Sequence, residues 1–244
     1  MVIILENNNI LNILKEQKKM NLKGNLYHIT QIQFAYNSNH IEGSTLTEDE
    51  TRLMYETNTL LTETTKSSKL DDIIEMSNHF YLFNYMIDKA EESISENLIK
   101  EFHKILKRGT ADERLEWFNV GDYKKLPNEV GGNSTSKPEN VTKDIKKLLE
   151  WYNSVEKVTF EDILEFHYRF ESIHPFQDGN GRVGRIIIFK ECLKNNIIPF
   201  IILDEYKAFY YRGLNKYKTE KGYLKDTCLT MQDKYKELIN KLIK

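Results

Sequence analysis

Apolar residues recur at helical spacing along most of the chain, and that rhythm sets the first expectation. Residues 10–20 read as a short Lys-rich amphipathic helix. Ile29, Ile32, Ala35 and Tyr36 carry the same spacing between Tyr27 and His40. Glu42-Gly43 ends that segment, since glycine commonly follows a helix C-terminus. Thr47-Glu-Asp-Glu50 has the form of a capping box and opens a helix with Leu53, Met54 and Leu60. Residues 61–69 are Thr/Ser-rich and read as a loop. Asp71 to Asp88 holds Ile73, Met76, Phe80, Phe83 and Ile87, the apolar-heavy pattern of a core helix. Ser93-Ile-Ser-Glu96 reads as a second capping box ahead of Leu98, Phe102, Ile105 and Leu106. Between Gly109 and Pro138 the rhythm breaks, with four glycines and two prolines, and a small β-hairpin is expected around residues 123–133. Helical spacing resumes at Val141, Ile145 and Leu148, and Thr159 caps a helix running through Phe170. Ile186 to Leu193 continue as a buried helix, and residues 205–218 and 226–243 supply the last two. The pattern predicts an all-α bundle with one irregular excursion.

Composition narrows this picture. The 244 residues suffice for one large domain, or for one domain with a helical extension. Apolar residues make up 40%, enough for a sizeable core. A formal net charge of −2 argues against a dedicated nucleic-acid binder. Cys192 and Cys228 lack metal-ligand spacing and fit a reduced, cytoplasmic protein. Met1 to Leu5 is apolar but has no basic flank, so it does not read as a signal peptide. No run approaches the roughly 18 apolar residues of a membrane span.

Chemistry concentrates in His174-Pro-Phe-Gln-Asp178-Gly-Asn-Gly-Arg182-Val-Gly-Arg185. Pro175 and the glycines end one helix and a second begins just after them. Gly179, Asn180 and Gly181 therefore sit at a helix N-terminus, where free backbone N–H groups and the helix dipole attract anions. Arg182 and Arg185 share one face of that helix and add two positive charges. Asp178 offers a hard carboxylate for Mg²⁺. His174 is the group whose ordinary pKa suits a general base. Gly179-x-Gly181-x-x-Gly184 also matches the dinucleotide-binding string, but that reading needs a preceding strand, and here a helix precedes it. No Gly-Lys-Ser/Thr of a Walker loop occurs, and His167 and His174 lack the H-E-x-x-H spacing of a zinc site. The plainest alternative is a glycine-rich helix cap whose arginines pair with surface acids.

The same string resembles the signature of the Fic family, H-P-F-x-D/E-G-N-G-R-x-x-R, at every fixed position. The resemblance implies a Fic-type helical bundle with a β-hairpin flap, and transfer of AMP from ATP to a Ser, Thr or Tyr hydroxyl of a protein, the chain itself included. On that reading His174 deprotonates the hydroxyl and Asp178 holds Mg²⁺ on the α- and β-phosphates. Gly179, Asn180, Gly181 and Arg182 cradle the phosphates, Arg185 reaches the γ-phosphate, and Phe176 points into the core. An acid before the glycine separates such adenylyltransferases from Doc-like kinases, and this chain has Asp178. Gly121 to Asn133 resembles the flap (about 117–133), with Val130 and Gly131 beside the nucleotide and a target protein docking along its edge. Lys124 stands where relatives often have Arg. Tyr210 and Tyr211 resemble the tyrosine pair on the adenine side, either as ligand contacts or as core packing. Lys218 replaces an Asn of some relatives.

Ser38-Asn-His-Ile-Glu42-Gly43 resembles the family's inhibitory motif, S/T-x-x-x-E-G/N. It implies that Glu42 forms a bidentate pair with Arg185 and forces ATP into an unproductive pose. An N-terminal region (residues 1–67) with Ser38 and Glu42 would then restrain a catalytic core (residues 68–244). Three readings stay open: a restrained adenylyltransferase, a hydrolase in which Glu42 orients a water to remove AMP, and a nucleotide sensor without turnover. The oligomeric state, a homo-oligomer included, is also open.

Overall fold

In the computed structural model, which describes residues 9–60 and 68–243, the expected helices form a bundle around one nearly all-buried helix. Order along the chain is α1 (Ile10–Met20), α2 (Leu26–Ile41), α3 (Glu48–Thr57), α4 (Leu70–Asp88) and α5 (Glu96–Lys107). A 3-10 turn (Ala111–Arg114) and a two-stranded hairpin follow, β1 (Glu129–Val130) and β2 (Asn133–Ser134). The chain then runs through α6 (Pro138–Asn153), α7 (Phe160–Ile173), α8 (Asn180–Lys194), a 3-10 turn (Asp204–Tyr206), α9 (Lys207–Lys216) and α10 (Gly222–Leu242). The fold is an all-α bundle, as the hydrophobic rhythm predicts. No described helix is long and apolar enough to cross a membrane.

Local chemistry explains most boundaries. The Thr47 and Thr159 hydroxyls accept from the N–H groups of Glu50 and Asp162, whose carboxylates return to the cap residues' own N–H groups. These are complete capping boxes. The third cap differs from expectation, because Ser95, not Ser93, starts α5, accepting from the Leu98 N–H. Ile94 and Ile99 are both buried in the main core, and Ser95 as the cap places them at the two positions of a hydrophobic staple. The hairpin is also shorter than expected and displaced towards residue 134. Gly131 and Gly132 form its turn at φ +56° and +75°, conformations that favour glycine. Helix α10 begins four residues before the expected 226, at Gly222. Residues 61–67 of the expected loop, and the apolar start of the chain, lie outside the described residues.

Helix α8 is the axis of the bundle. Every residue from Val183 to Leu193 is buried, so its surroundings are protein on all sides. Phe34 of α2, Phe83 of α4, Phe166 and Phe170 of α7 and Phe189 of α8 share the main core. The charged residues on α8 are accommodated by pairing. Lys190 Nζ donates to Glu191 Oε1 at 2.7 Å and to the Glu92 carbonyl at 2.6 Å, and the Tyr152 hydroxyl donates to Glu191 Oε2 at 3.0 Å. Helix α2 is equally embedded, with Ile32, Phe34 and Ala35 fully buried and polar Thr30, Gln31 and Ser38 buried beside them. Its C-terminus therefore meets the N-terminus of α8 inside the bundle, and that junction holds the candidate site.

Candidate active site

The signature loop is shaped by backbone geometry before any ligand chemistry. His174 ends α7 in the left-handed region at φ +51°, its N–H donating to the Phe170 carbonyl at 2.9 Å. Phe176 is fully buried and stacks on His103 of α5 at 3.9 Å between ring centres. Asn180 braces the turn, its Oδ1 accepting from the Phe176 N–H at 2.8 Å and its Nδ2 donating to the Phe176 carbonyl at 2.9 Å. That side chain is committed to the loop, so what Asn180 has left for an anion is its backbone N–H. Gly179 precedes α8 at φ +80°, and among the described residues no side chain caps the helix. The first N–H groups of α8 are thus without a side-chain acceptor, the arrangement that favours an anion.

His103 was not singled out by sequence, yet it ties three segments together. Its Nδ1 accepts from the Gly121 N–H at 2.9 Å, so the ring proton belongs on Nε2, which donates to the Asp178 carbonyl at 3.1 Å. Burial pulls its pKa down to about 3, which keeps this arrangement neutral. The hairpin segment is bonded to the same loop. The Lys124 N–H donates to the Pro175 carbonyl at 2.9 Å, and Asn128 Nδ2 donates to the Phe176 carbonyl at 2.9 Å. Lys124 Nζ is buried against Asn128 Oδ1, Thr135 Oγ1 and the Ile173 carbonyl, and burial lowers its pKa to about 8.

A cavity of about 660 Å³ opens between this loop, the hairpin, α2 and α9. It gathers His174, Gly181 and Arg185 from the motif, Glu42 from the end of α2, and Val130 and Gly131 from the hairpin. Tyr210 and Tyr211 of α9 form another wall. Tyr210 is buried and its hydroxyl pairs with His167 Nε2 at 2.6 Å, whereas Tyr211 is 38% exposed. The pair thus divides between packing and cavity surface. Smaller hollows of about 260 and 460 Å³ are lined by other residues and hold none of the motif. Glu171, Asn215 and Lys218 also face the main cavity. Asn215 was not anticipated, and its side chain lies 2.8 Å from where a Cβ on Gly131 would stand, so α9 and the hairpin meet closely there.

Charge divides the remaining motif residues into two clusters. In the first, Arg185 Nε donates to Ser38 Oγ at 3.0 Å, while Nη2 donates to the Ser38 carbonyl at 2.8 Å and to Glu42 Oε1 at 2.6 Å. The Glu42 pairing is therefore single, not the bidentate fork expected: Ser38 takes Nε and shares Nη2, and Nη1 is buried without a hydrogen-bond partner among the described residues. Burial opposes the charge on Arg185, but the Glu42 carboxylate outweighs it and holds the guanidinium above its ordinary value. Gly181 makes this contact sterically feasible, since a Cβ there would stand 2.4 Å from Glu42 Oε1.

The second cluster centres on Asp178. Lys107 Nζ donates to its Oδ2 at 2.7 Å and Arg182 Nη2 to the same oxygen at 3.1 Å. Arg182 also pairs with Glu75 and Asn39, so its guanidinium is turned towards α4 and α2. Burial would raise the Asp178 carboxyl, yet Arg182 and Lys107 hold it far below the usual carboxylate range. Glu75, Asp112 and Asp178 are spaced as a cation site, but Lys107 Nζ stands among all three at 2.5–2.7 Å. The carboxylate oxygen left over that could hold a metal ion is therefore Asp178 Oδ1. That oxygen binds neither cation and belongs to an ionised carboxylate whose side chain is 53% exposed. A hard divalent ion that keeps most of its waters fits such a single-carboxylate donor.

Residues 93–191 match the model of the Fic/DOC family. The chain is similar to protein adenylyltransferase fic-1 of Caenorhabditis elegans, 27% identical over 190 residues, which is 76% of this chain and 36% of that protein. It is also similar to protein adenylyltransferase Fic of Nematostella vectensis, 28% identical over 193 residues, covering 75% of this chain and 42% of that protein. The chain thus spans less than half the length of these relatives. Among solved structures, a Fic domain-containing signalling protein from Bacteroides thetaiotaomicron superposes with a TM-score of 0.68 at 27% identity, covering 95% of this chain and 90% of that one. Motif, fold and relatives converge on the same similarity: residues 93–191 match the Fic/DOC family model, and the chain resembles Fic proteins over about three quarters of its length.

Proposed function

We propose that the chain is a protein adenylyltransferase that moves AMP from ATP to a protein hydroxyl, its own included, and that Glu42 restrains it. The observation that carries this reading is the single cavity in which His174, the start of α8 at Gly181, and the Glu42–Arg185 pair face one another. The N–H groups opening α8 would receive phosphate oxygens, and Arg185, once freed, would neutralise the terminal phosphate. Asp178 Oδ1 would hold Mg²⁺, which supplies charge neutralisation of the phosphates and stabilises departing pyrophosphate. His174 is kept neutral, since burial and then the Lys124 charge lower its pKa to about 4, so it can accept the target hydroxyl's proton at neutral pH. The edge of β1 would register the target's extended segment by strand pairing.

Restraint follows from Glu42 occupying the charge partner that the triphosphate needs. Separating this pair leaves a buried guanidinium without compensation, so relief is expected to require a ligand or a change in Glu42 itself. Glu42→Gly should raise self-adenylylation with Mg-ATP by at least roughly tenfold, the equivalent of about 1.4 kcal/mol, and Glu42→Gly/His174→Ala should show none. Intact-mass spectrometry reads both directly, and equal low labelling of wild type and Glu42→Gly would remove the inhibitory role. Because Glu42 itself faces the cavity, the reverse hydrolysis, with Glu42 orienting a water, draws on the same groups. Release of AMP from a premodified protein by the wild type, but not by Glu42→Gly, would identify that reaction.

A further inference from the structure

Glu171 is a buried carboxyl in the cavity to which the signature assigns no part. It lies on the last turn of α7, three residues before His174, and is 7% exposed. Its Oε2 stands 3.9 Å from His174 Nδ1, and its backbone carbonyl faces the same ring. His174 Nδ1 and Glu171 Oε1 are both buried without a hydrogen-bond partner among the described residues. Gly184 of α8 makes room for the carboxyl, since a Cβ there would stand 2.4 Å from Oε1. A carboxyl placed in this way, beside the buried edge of the proposed base, is positioned to act on that base.

We propose that Glu171 is a positioning residue for His174, keeping the ring proton on Nδ1 so that Nε2 is free to act as base, and stabilising the imidazolium by its negative charge. The inference rests on the transfer reading above. In that step the target's O–H bond breaks as Nε2–H forms. The hydroxyl oxygen bonds to the α-phosphorus, and the bond from that phosphorus to pyrophosphate breaks with its electron pair leaving on pyrophosphate. The transient imidazolium later returns its proton to solvent.

The charged and titratable surroundings determine when Glu171 carries its charge. Glu42 approaches from α2, Arg185 from α8, His167 from α7 and Tyr210 from α9, while Lys124 and Asp178 act on His174. Burial raises the Glu171 pKa to about 8, Glu42 adds to the rise and Arg185 opposes it. With Glu42 in place the carboxyl is thus mostly neutral at pH 7, and removal of Glu42 favours its ionisation. The same glutamate that holds Arg185 would thereby also weaken the base.

The test follows the His174 ring by ¹⁵N NMR across pH 6–9 in the full chain, alongside kinetics. Wild type should show an inflection in the ring signals near pH 8 that Glu171→Gln abolishes and Glu171→Asp retains. Glu42→Gly should move the inflection to lower pH. In the Glu42→Gly background, Glu171→Gln should lower kcat for self-labelling roughly tenfold, leave the KM for ATP unchanged and flatten the alkaline rise in rate. A ring titration unaltered by Glu171→Gln in a folded variant, or an unchanged kcat, overturns the inference. If Glu42→Gly fails to label at all while the ring inflection behaves as stated, the transfer reading falls and the Glu171–His174 pairing stands.

Discussion

Two glycines inside α8 show how closely this site is packed at single atoms. Gly181 faces Glu42 and Gly184 faces Glu171, each with a carboxylate oxygen 2.4 Å from where a Cβ would be. At Gly184 the hypothetical Cβ also stands 3.0 Å from the fully buried His167 ring, so that neighbour would have to give way inside the core. Gly184→Ala should therefore destabilise the fold by about 1–3 kcal/mol, read as a lower urea midpoint. Titration at this scale has a defined sign. The His174 pKa is lower in the folded chain than in the unfolded one, so its contribution to stability is present above about pH 6.5 and declines as pH falls towards 4. The Glu171 pKa is higher in the folded chain, so its contribution is present below about pH 4.5 and is lost as pH rises through 8. Glu171→Gln should accordingly flatten the fall in thermal midpoint between pH 5 and 8, and an unaltered slope would contradict the assigned pKa.

At the scale of elements, α2 is part of the core and not a detachable latch. Its buried Phe34 and Phe189 of α8 lie 5.2 Å apart between ring centres, and the Thr30 and Tyr235 hydroxyls join it to α10 at 2.8 Å. Glu42, by contrast, lies just beyond the helix and its side chain is 31% exposed. Hydrogen exchange should thus find α2 as protected in Glu42→Gly as in wild type, and rapid exchange throughout α2 in the variant would contradict this picture. Helix ends respond to their caps, and Thr159→Ala should cost about 1 kcal/mol by freeing the Asp162 N–H. Local signals of this kind were the legible part of the sequence. Thr47 and Thr159, the turn at Gly179 and the apolar spacing of α4 and α6 each act within a few residues, so the string of letters contains them. The α5 cap is misread from sequence because Ser93 has Glu96 at capping-box spacing whereas Ser95 has Leu98 there, and only the burial of Ile94 and Ile99 favours Ser95. Lys107 was invisible because its acceptor Asp178 is 71 residues away, as was the Gly121–His103–Asp178 relay. Glu171 and Asn215 look like ordinary polar helix positions until neighbouring helices enclose one and the hairpin approaches the other.

For the whole molecule, the N-terminal helices and the motif-bearing helices share one core, so the proposed restraint and the proposed catalysis would be built into a single folding unit. The Glu42–Arg185 and Lys107–Asp178 pairs lie on the two flanks of the signature loop, and on the proposed reading one would govern access to the terminal phosphate while the other would fix the metal ligand. Between them the loop holds the start of α8 open to an anion. The most direct measurement is a crystal structure of Glu42→Gly with Mg²⁺ and a non-hydrolysable ATP analogue. The account predicts phosphate oxygens on the N–H groups of Gly179 to Gly181, the metal on Asp178 Oδ1, Arg185 on the terminal phosphate and His174 Nε2 turned towards the α-phosphorus. A triphosphate bound elsewhere with the turn empty, or the His174 ring aimed into the core, would contradict it.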